Sequence, residues 1–194
     1  MRKIIVSNLV SLDGYFEGPN RELDWFVTDQ DFFDYARELL NTVDTILFGR
    51  KTYEMMAAYW PGATANDAAI THKMNNLTKI VFSKTLTSVA WNNSRLADTD
   101  AVQEINKLKE QPGKDIVIFG SGELLSAFTD LGLIDEYRII VNPVSLGRGV
   151  PMFKNLEKKL DLKLLKTKPL WSGVVILYYK PAVKTVITNK SFVL

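Results

Sequence analysis

The chain has 194 residues, enough for one domain, and its 46% apolar and 24% charged content is ordinary for a water-soluble globular protein. Its 24 basic and 22 acidic residues leave a net charge of +2, too weak a field to recruit nucleic acid or an anionic membrane. With no cysteine and a single histidine, His72, which is expected on a helix surface, there is no disulfide framework, thiolate nucleophile, Cys-based metal site or Ser-His-Asp triad.

Met1-Arg-Lys-Ile-Ile-Val runs directly into a strand predicted over Lys3–Leu9, without the apolar core and cleavage site of a signal peptide. No apolar run approaches the roughly 18 residues that span a bilayer, so a cytoplasmic protein is expected. Ser11-Leu-Asp-Gly14 reads as a turn with left-handed geometry at Gly14. Trp25, in a polar loop, serves either as a pocket wall or as a core anchor. The next helix is predicted over 29–41, N-capped by Thr28 with Asp31 at the capping-box distance. Phe32, Phe33, Ala36, Leu39 and Leu40 form its apolar stripe. At about 100° per residue Asp29 falls on that stripe, whereas Asp31 and Asp34 point away. An inward carboxylate in a first turn is costly unless it is hydrogen-bonded or meets a polar ligand. The alternative is that Asp29 caps the helix or complements its dipole.

A strand over Thr45–Phe48 ends at Gly49, and Arg50, Lys51 and Thr52 follow as a helix opens over 51–58. Two cations and a hydroxyl at a helix N-terminus suit a phosphate monoester, and arginine is the natural partner of a 2′-phosphate, which favours NADP over NAD. A plain solvated basic turn is the other reading. After a helix over 66–76, the strand Lys79–Phe82 ends at Ser83 and Lys84. After another helix over 100–110, the strand Asp115–Phe119 breaks into Gly120-Ser121-Gly122, with Glu123 and Leu124 opening a helix over 122–131. Backbone N–H groups can approach a ligand closely there, and the helix dipole favours a pyrophosphate. The third glycine of a dinucleotide fingerprint is replaced by Leu125, and the turn also reads as a simple strand-to-helix connection. Three strand ends carrying phosphate- or ribose-suited groups nevertheless match the rule that open α/β sheets bind ligands at the carboxyl ends of their strands.

Strands alone follow, over Tyr137–Val141, Leu160–Lys166 and Val174–Tyr179. Alternating strands and helices followed by strands predict one α/β domain over 1–181, a mainly parallel central sheet with antiparallel C-terminal edge strands and helices on both faces. The turn formers of Pro143–Pro151 bring Arg148 either beside a substrate phosphate or into a mere edge connection. The apolar residues of 182–194 suggest an added strand or a dimer arm, and a homodimer is expected.

Gly49-Arg-Lys-Thr-Tyr-Glu54 together with Gly120-Ser-Gly122 resembles the dihydrofolate reductase superfamily. The resemblance is nearer to its branch containing the C-terminal reductase domain of the bifunctional riboflavin-biosynthesis deaminase-reductase. Ser11-Leu-Asp-Gly-Tyr15, Trp25, Leu133-Ile-Asp-Glu-Tyr137 and Asn142–Phe153 extend the likeness over roughly residues 2 to 181. It implies a dihydrofolate reductase-like fold and an NADPH-dependent reductase of a small heterocyclic substrate, either a pyrimidine of the 5-amino-6-(5-phosphoribosylamino)uracil type or a dihydrofolate-like pterin. On that reading Gly49, Arg50, Lys51 and Thr52 hold one phosphate region, Ser83 and Lys84 the adenosine side, and Gly120, Ser121, Gly122, Glu123 and Leu124 the pyrophosphate. Asp13, Gly14, Trp25, Asp29 and Arg148 face the substrate, with Asp29 and then Asp13 as the candidate catalytic carboxylates. The alternative is a non-catalytic NADP(H)-binding or interaction protein on the same fold.

Overall fold

Among the described residues, five α-helices, one 3-10 turn and ten strands are threaded so that the parallel strands all direct their carboxyl ends to one edge of a single sheet. The structure, a computed structural model, describes residues 1–182 apart from 65, 66 and 121. The suggested extra strand or dimer arm beyond Ala182, and the side chain of Ser121, lie outside the described residues.

In chain order the strands are β1 (Ile4–Ser11), β2 (Tyr15–Glu17), β3 (Val43–Gly49), β4 (Thr78–Phe82), β5 (Ser94–Leu96), β6 (Asp115–Ile118), β7 (Glu136–Asn142), β8 (Val150–Pro151), β9 (Leu162–Pro169) and β10 (Val175–Pro181). The helices are α1 (Gln30–Thr42), α2 (Arg50–Tyr59), α3 (Ala68–Asn76), α4 (Ala101–Glu110) and α5 (Gly122–Asp130). The main sheet has eight strands in the order β5-β4-β3-β6-β1-β7-β10-β9, and β2 pairs with β8 as a separate ribbon. Pairing is parallel from β5 through to β7 and antiparallel where β10 meets β7 and β9. All seven predicted strands occur within a few residues of their expected bounds. The additional β2, β5 and β8 have three residues or fewer, too short to show a period of two in the sequence.

Strands buried on both faces require apolar residues in both directions, and β3, β4, β6 supply them. Ile46, Phe48, Val81 and Val117 face a core shared with Tyr35, Leu39 and Leu40 of α1, Tyr53 of α2 and Ile70 and Met74 of α3. Leu47, Ile80, Ile116 and Ile118 face the opposite core, filled by Ile105 and Leu108 of α4 and Leu124, Leu125 and Phe128 of α5. Helices therefore cover both faces, as the element order predicts.

Polar residues within this framework hold the elements in place. Lys79 of β4 is completely buried and donates to the carbonyls of Asn75, Leu77 and Asn92 at 2.8–3.0 Å. It ties the C-terminus of α3 to the following loop, and its ammonium lies 4.4 Å from the centre of the Trp91 ring. Burial pushes its pKa down to about 8, which leaves it charged at neutral pH. His72 is exposed on α3, as expected.

The start of α1 differs from the sequence reading by one residue. Asp29, not Thr28, is the N-cap, with extended backbone and its Oδ1 accepting from Phe32 N–H at 2.8 Å. Two adjacent residues of capping type compete here, and aspartate is the stronger N-cap of the two. Asp29 therefore precedes the helical stripe instead of lying on it.

Candidate active site

The loops that leave β1, β3, β4, β6 and β7 gather at the shared carboxyl edge. Two of them interlock. Gly120, which follows β6, adopts φ +65°, and a Cβ there would stand 2.9 Å from the Thr52 methyl carbon and 3.1 Å from its hydroxyl. Thr52 is buried in the first turn of α2, so the β3–α2 and β6–α5 turns pack directly against each other. Glycine is required at 120 by its backbone and again by its neighbour. Lys51 Nζ stands 3.8 Å from Glu123 Oε1 across the same gap, and Arg50 pairs with Glu54 along α2 at 3.1 Å. Gly49 gives α2 no side-chain cap. Two helix N-termini thus converge, with Lys51 reaching across the gap and Arg50 at the start of α2, an arrangement suited to phosphate oxygens once these cations exchange their carboxylate partners.

The β4 end is more self-contained. Ser83 Oγ accepts from the N–H groups of Thr85 and Leu86 at 3.1 and 2.9 Å and closes its own turn, while Lys84 is exposed.

On the other side of the edge, the loops after β1 and β7 are stitched by Asp13. Its carboxylate accepts from Ser11 Oγ (2.6 Å), Ser145 Oγ (2.8 Å), Leu146 N–H (3.1 Å) and Gly147 N–H (2.7 Å). Ser11 and these loop donors hold its pKa far below the usual carboxylate range. Gly14 takes φ +85°, the left-handed turn expected there. Leu12 N–H donates to Val144 O at 2.7 Å, adding a backbone tie between the two loops. Asp13 is consequently an ionised clasp at neutral pH, and its geometry commits it to shaping the loops.

Asp29 lies at the mouth of α1. Its pKa is lowered first by the Phe32 N–H and then by the Ser172 hydroxyl. The first turn of α1 is also tied to the β9–β10 turn, because Trp171 N–H donates to Asp31 Oδ2 at 3.2 Å. Trp25 turns back into its own loop, its indole N–H donating to Glu22 O at 3.1 Å and its ring meeting Phe26 edge-on at 4.3 Å. Arg148 is exposed, in the connection between β7 and β8, and has no ion-pair partner among the described residues.

Two asparagines escaped the sequence reading. Asn142, fully buried at the end of β7, accepts from Val27 N–H at 2.9 Å and so anchors the segment that leads into α1. Asn8, buried in β1, accepts from Gly120 N–H at 2.8 Å. The available signal was a polar amide inside an otherwise apolar strand, where burial is costly unless the group is used.

Among the described residues, no group of three or more His, Cys, Asp or Glu could hold a metal ion, and no helix is long and apolar enough to cross a membrane. A hollow of about 450 Å³ bounded by Tyr35, Glu38, Arg138 and Tyr178 lies near the opposite end of the strands, away from these loops.

This arrangement, phosphate-suited turns at the carboxyl edge of a parallel sheet with two antiparallel edge strands, is that of the dihydrofolate reductase-like fold. The model of the RibD C-terminal domain matches residues 2–176, and the chain belongs to that family. It is 38% identical over 185 residues to the uncharacterized protein YyaP of Bacillus subtilis (strain 168), covering 92% of this chain and 94% of that one. A crystal structure described as a riboflavin biosynthesis protein of Shewanella sp. PV-4 superimposes with a TM-score of 0.74 at 25% identity, over 93% of this chain and 99% of that one. The dihydrofolate reductase of Enterococcus faecalis, solved in complex with NADP(H), shares the fold at 14% identity, with a TM-score of 0.64 over 93% of this chain and 97% of that one.

Proposed function

We propose that the protein is an NADPH-dependent reductase that transfers hydride to a small heterocyclic substrate, a pyrimidine of the 5-amino-6-(5-phosphoribosylamino)uracil type or a dihydrofolate-like pterin. The observation that carries this reading is the interlock of Thr52 with Gly120, which brings two helix N-termini and the cations Arg50 and Lys51 to one place. Family membership and the riboflavin-biosynthesis and reductase descriptions of its structural neighbours support it.

The donor set fits NADP(H). Gly120 lets the β6–α5 turn pack against Thr52, the start of α5 suits the pyrophosphate, and Arg50 and Lys51 suit a 2′-phosphate monoester. The existing ion pairs of these cations are solvent-exposed and worth little, so a phosphate can replace the carboxylates. When bound, the nicotinamide supplies the hydride; the chain supplies binding, orientation and exclusion of water. Asp29 is held ionised, and its Oδ1 is engaged by Phe32 N–H, so the role open to it is acceptance of a substrate N–H or amidine-like edge. Asp13 holds the loops after β1 and β7 together.

Titration with NADPH and NADH tests the assignment: NADPH should bind more tightly, and alanine at both Arg50 and Lys51 should remove most of that preference. Equal affinity for both nucleotides in the unmodified protein contradicts it. One observation favours a second reading, a nucleotide-binding protein without turnover. Neither candidate carboxylate is poised to donate a proton near neutral pH, since both pKa values are lowered.

A further inference from the structure

Asn8 occupies the middle of β1 and is 3% exposed. The parallel register pairs Ile4, Ile5 and Val6 with Ile116, Val117 and Ile118, so two residues further along Asn8 comes level with Gly120. Gly120 N–H donates to Asn8 Oδ1 at 2.8 Å. That bond sets the orientation of the amide, because only the oxygen end can accept. The opposite end, Nδ2, is buried with no hydrogen-bond partner among the described residues. A planar amide with its oxygen on Gly120 keeps its nitrogen beside the same turn, where α5 begins and its dipole favours negative charge.

An unpaired buried donor disfavours the free protein, and such groups are rare in native structures. Four buried hydroxyls, of Thr71, Ser94, Thr99 and Ser172, are also unpartnered among the described residues, but a hydroxyl rotates and also accepts, whereas an amide N–H can only donate. An apolar residue would fill a position in a doubly covered strand without this penalty.

We infer that Asn8 is a cofactor-binding residue, whose Oδ1 positions the Gly120 turn and whose Nδ2 donates to an oxygen of the dinucleotide bound there. The inference rests on the proposed NADP(H) site. Nucleotide binding then completes the pairing of the amide, so β1 contributes to cofactor recognition through a side chain as well as through the loop that follows it.

Asn8→Asp tests this directly. The variant keeps the shape and the acceptor for Gly120 N–H but presents an oxygen where the donor stood, which repels a phosphate or carbonyl oxygen. Fluorescence titration should show NADPH binding weakened by roughly tenfold or more in the folded variant, whose thermal midpoint falls because the new carboxylate is buried. The second probe is 2′-phospho-ADP-ribose, which lacks nicotinamide. Equal weakening for both probes places the acceptor on the pyrophosphate side, and weakening for NADPH alone places it on the nicotinamide side; either supports the inference. Asn8→Ala, which removes the donor, is read in the same way if the aspartate variant does not fold. Unchanged affinity for both probes in a folded variant overturns the role of Asn8 and leaves the NADP(H) reading standing. Failure of the unmodified protein to bind NADPH overturns the underlying reading instead.

Discussion

At Gly120 a backbone requirement and a packing requirement coincide, so the residue reports on both fold and site. A side chain at φ +65° is strained, and a methyl group would press on Thr52 at 2.9 Å. Gly120→Ala should therefore lower stability by about 1–2 kcal/mol and weaken NADPH binding, measured by urea unfolding and nucleotide titration on one sample. A stable variant with unchanged binding would show that the turn is not a nucleotide cradle. Asp29 separates structure from chemistry in the opposite way. Asparagine caps a helix about as well as aspartate, so Asp29→Asn should change stability by well under ~1 kcal/mol. Its lost charge should nevertheless cut turnover by roughly 10²-fold if the carboxylate grips substrate, with NADPH binding intact. Unchanged turnover would remove Asp29 from the chemistry.

Asp13 belongs to the scale of elements, because it joins the loop after β1 to the loop after β7. Its folded pKa lies below the ordinary 3.8, so the folded state binds its proton less readily than the unfolded chain. The contribution is complete above about pH 5 and is lost as pH falls through the unfolded value toward the folded one. Asp13→Asn should flatten the acid limb of the stability–pH profile below about pH 5, read from urea midpoints; a parallel profile contradicts the clasp. Lys79 joins α3 to the loop before β5, and Lys79→Met should cost about 2–3 kcal/mol in urea unfolding because buried carbonyls lose their donor. No loss of stability would contradict that tie. These same links explain what the sequence conceals. Glycine-led turns and apolar strands are local signals, so β3, β6 and their phosphate-suited ends are legible from composition and spacing. Asp13 meets Ser145 and Gly147 across 132 and 134 residues, and Asn8 meets Gly120 across 112, so nothing near either residue in sequence announces its partner. The cap of α1 is misplaced by one residue for a different reason: Thr28 and Asp29 are adjacent residues that can both cap, and the stronger one holds the position.

Across the whole molecule, β1 is the strand through which the two halves of the edge communicate. It pairs with β6, which leads to the glycine turn, and with β7, which leads to the Asp13-bound loop and carries Asn142. The phosphate-suited half and the half containing Asp29 are thereby fixed by one rigid element at a central position in the sheet. Such an arrangement suits the proposed reaction between a bound nucleotide and a substrate, because proximity and orientation would be supplied before the chemistry begins. The most direct test is to incubate the protein with NADPH and, in separate reactions, 5-amino-6-(5-phosphoribosylamino)uracil and dihydrofolate, following nucleotide oxidation together with product formation. The account predicts that one of these substrates drives NADPH oxidation in equal amount to product. NADPH binding without substrate-dependent oxidation by the pyrimidine or the pterin would contradict it.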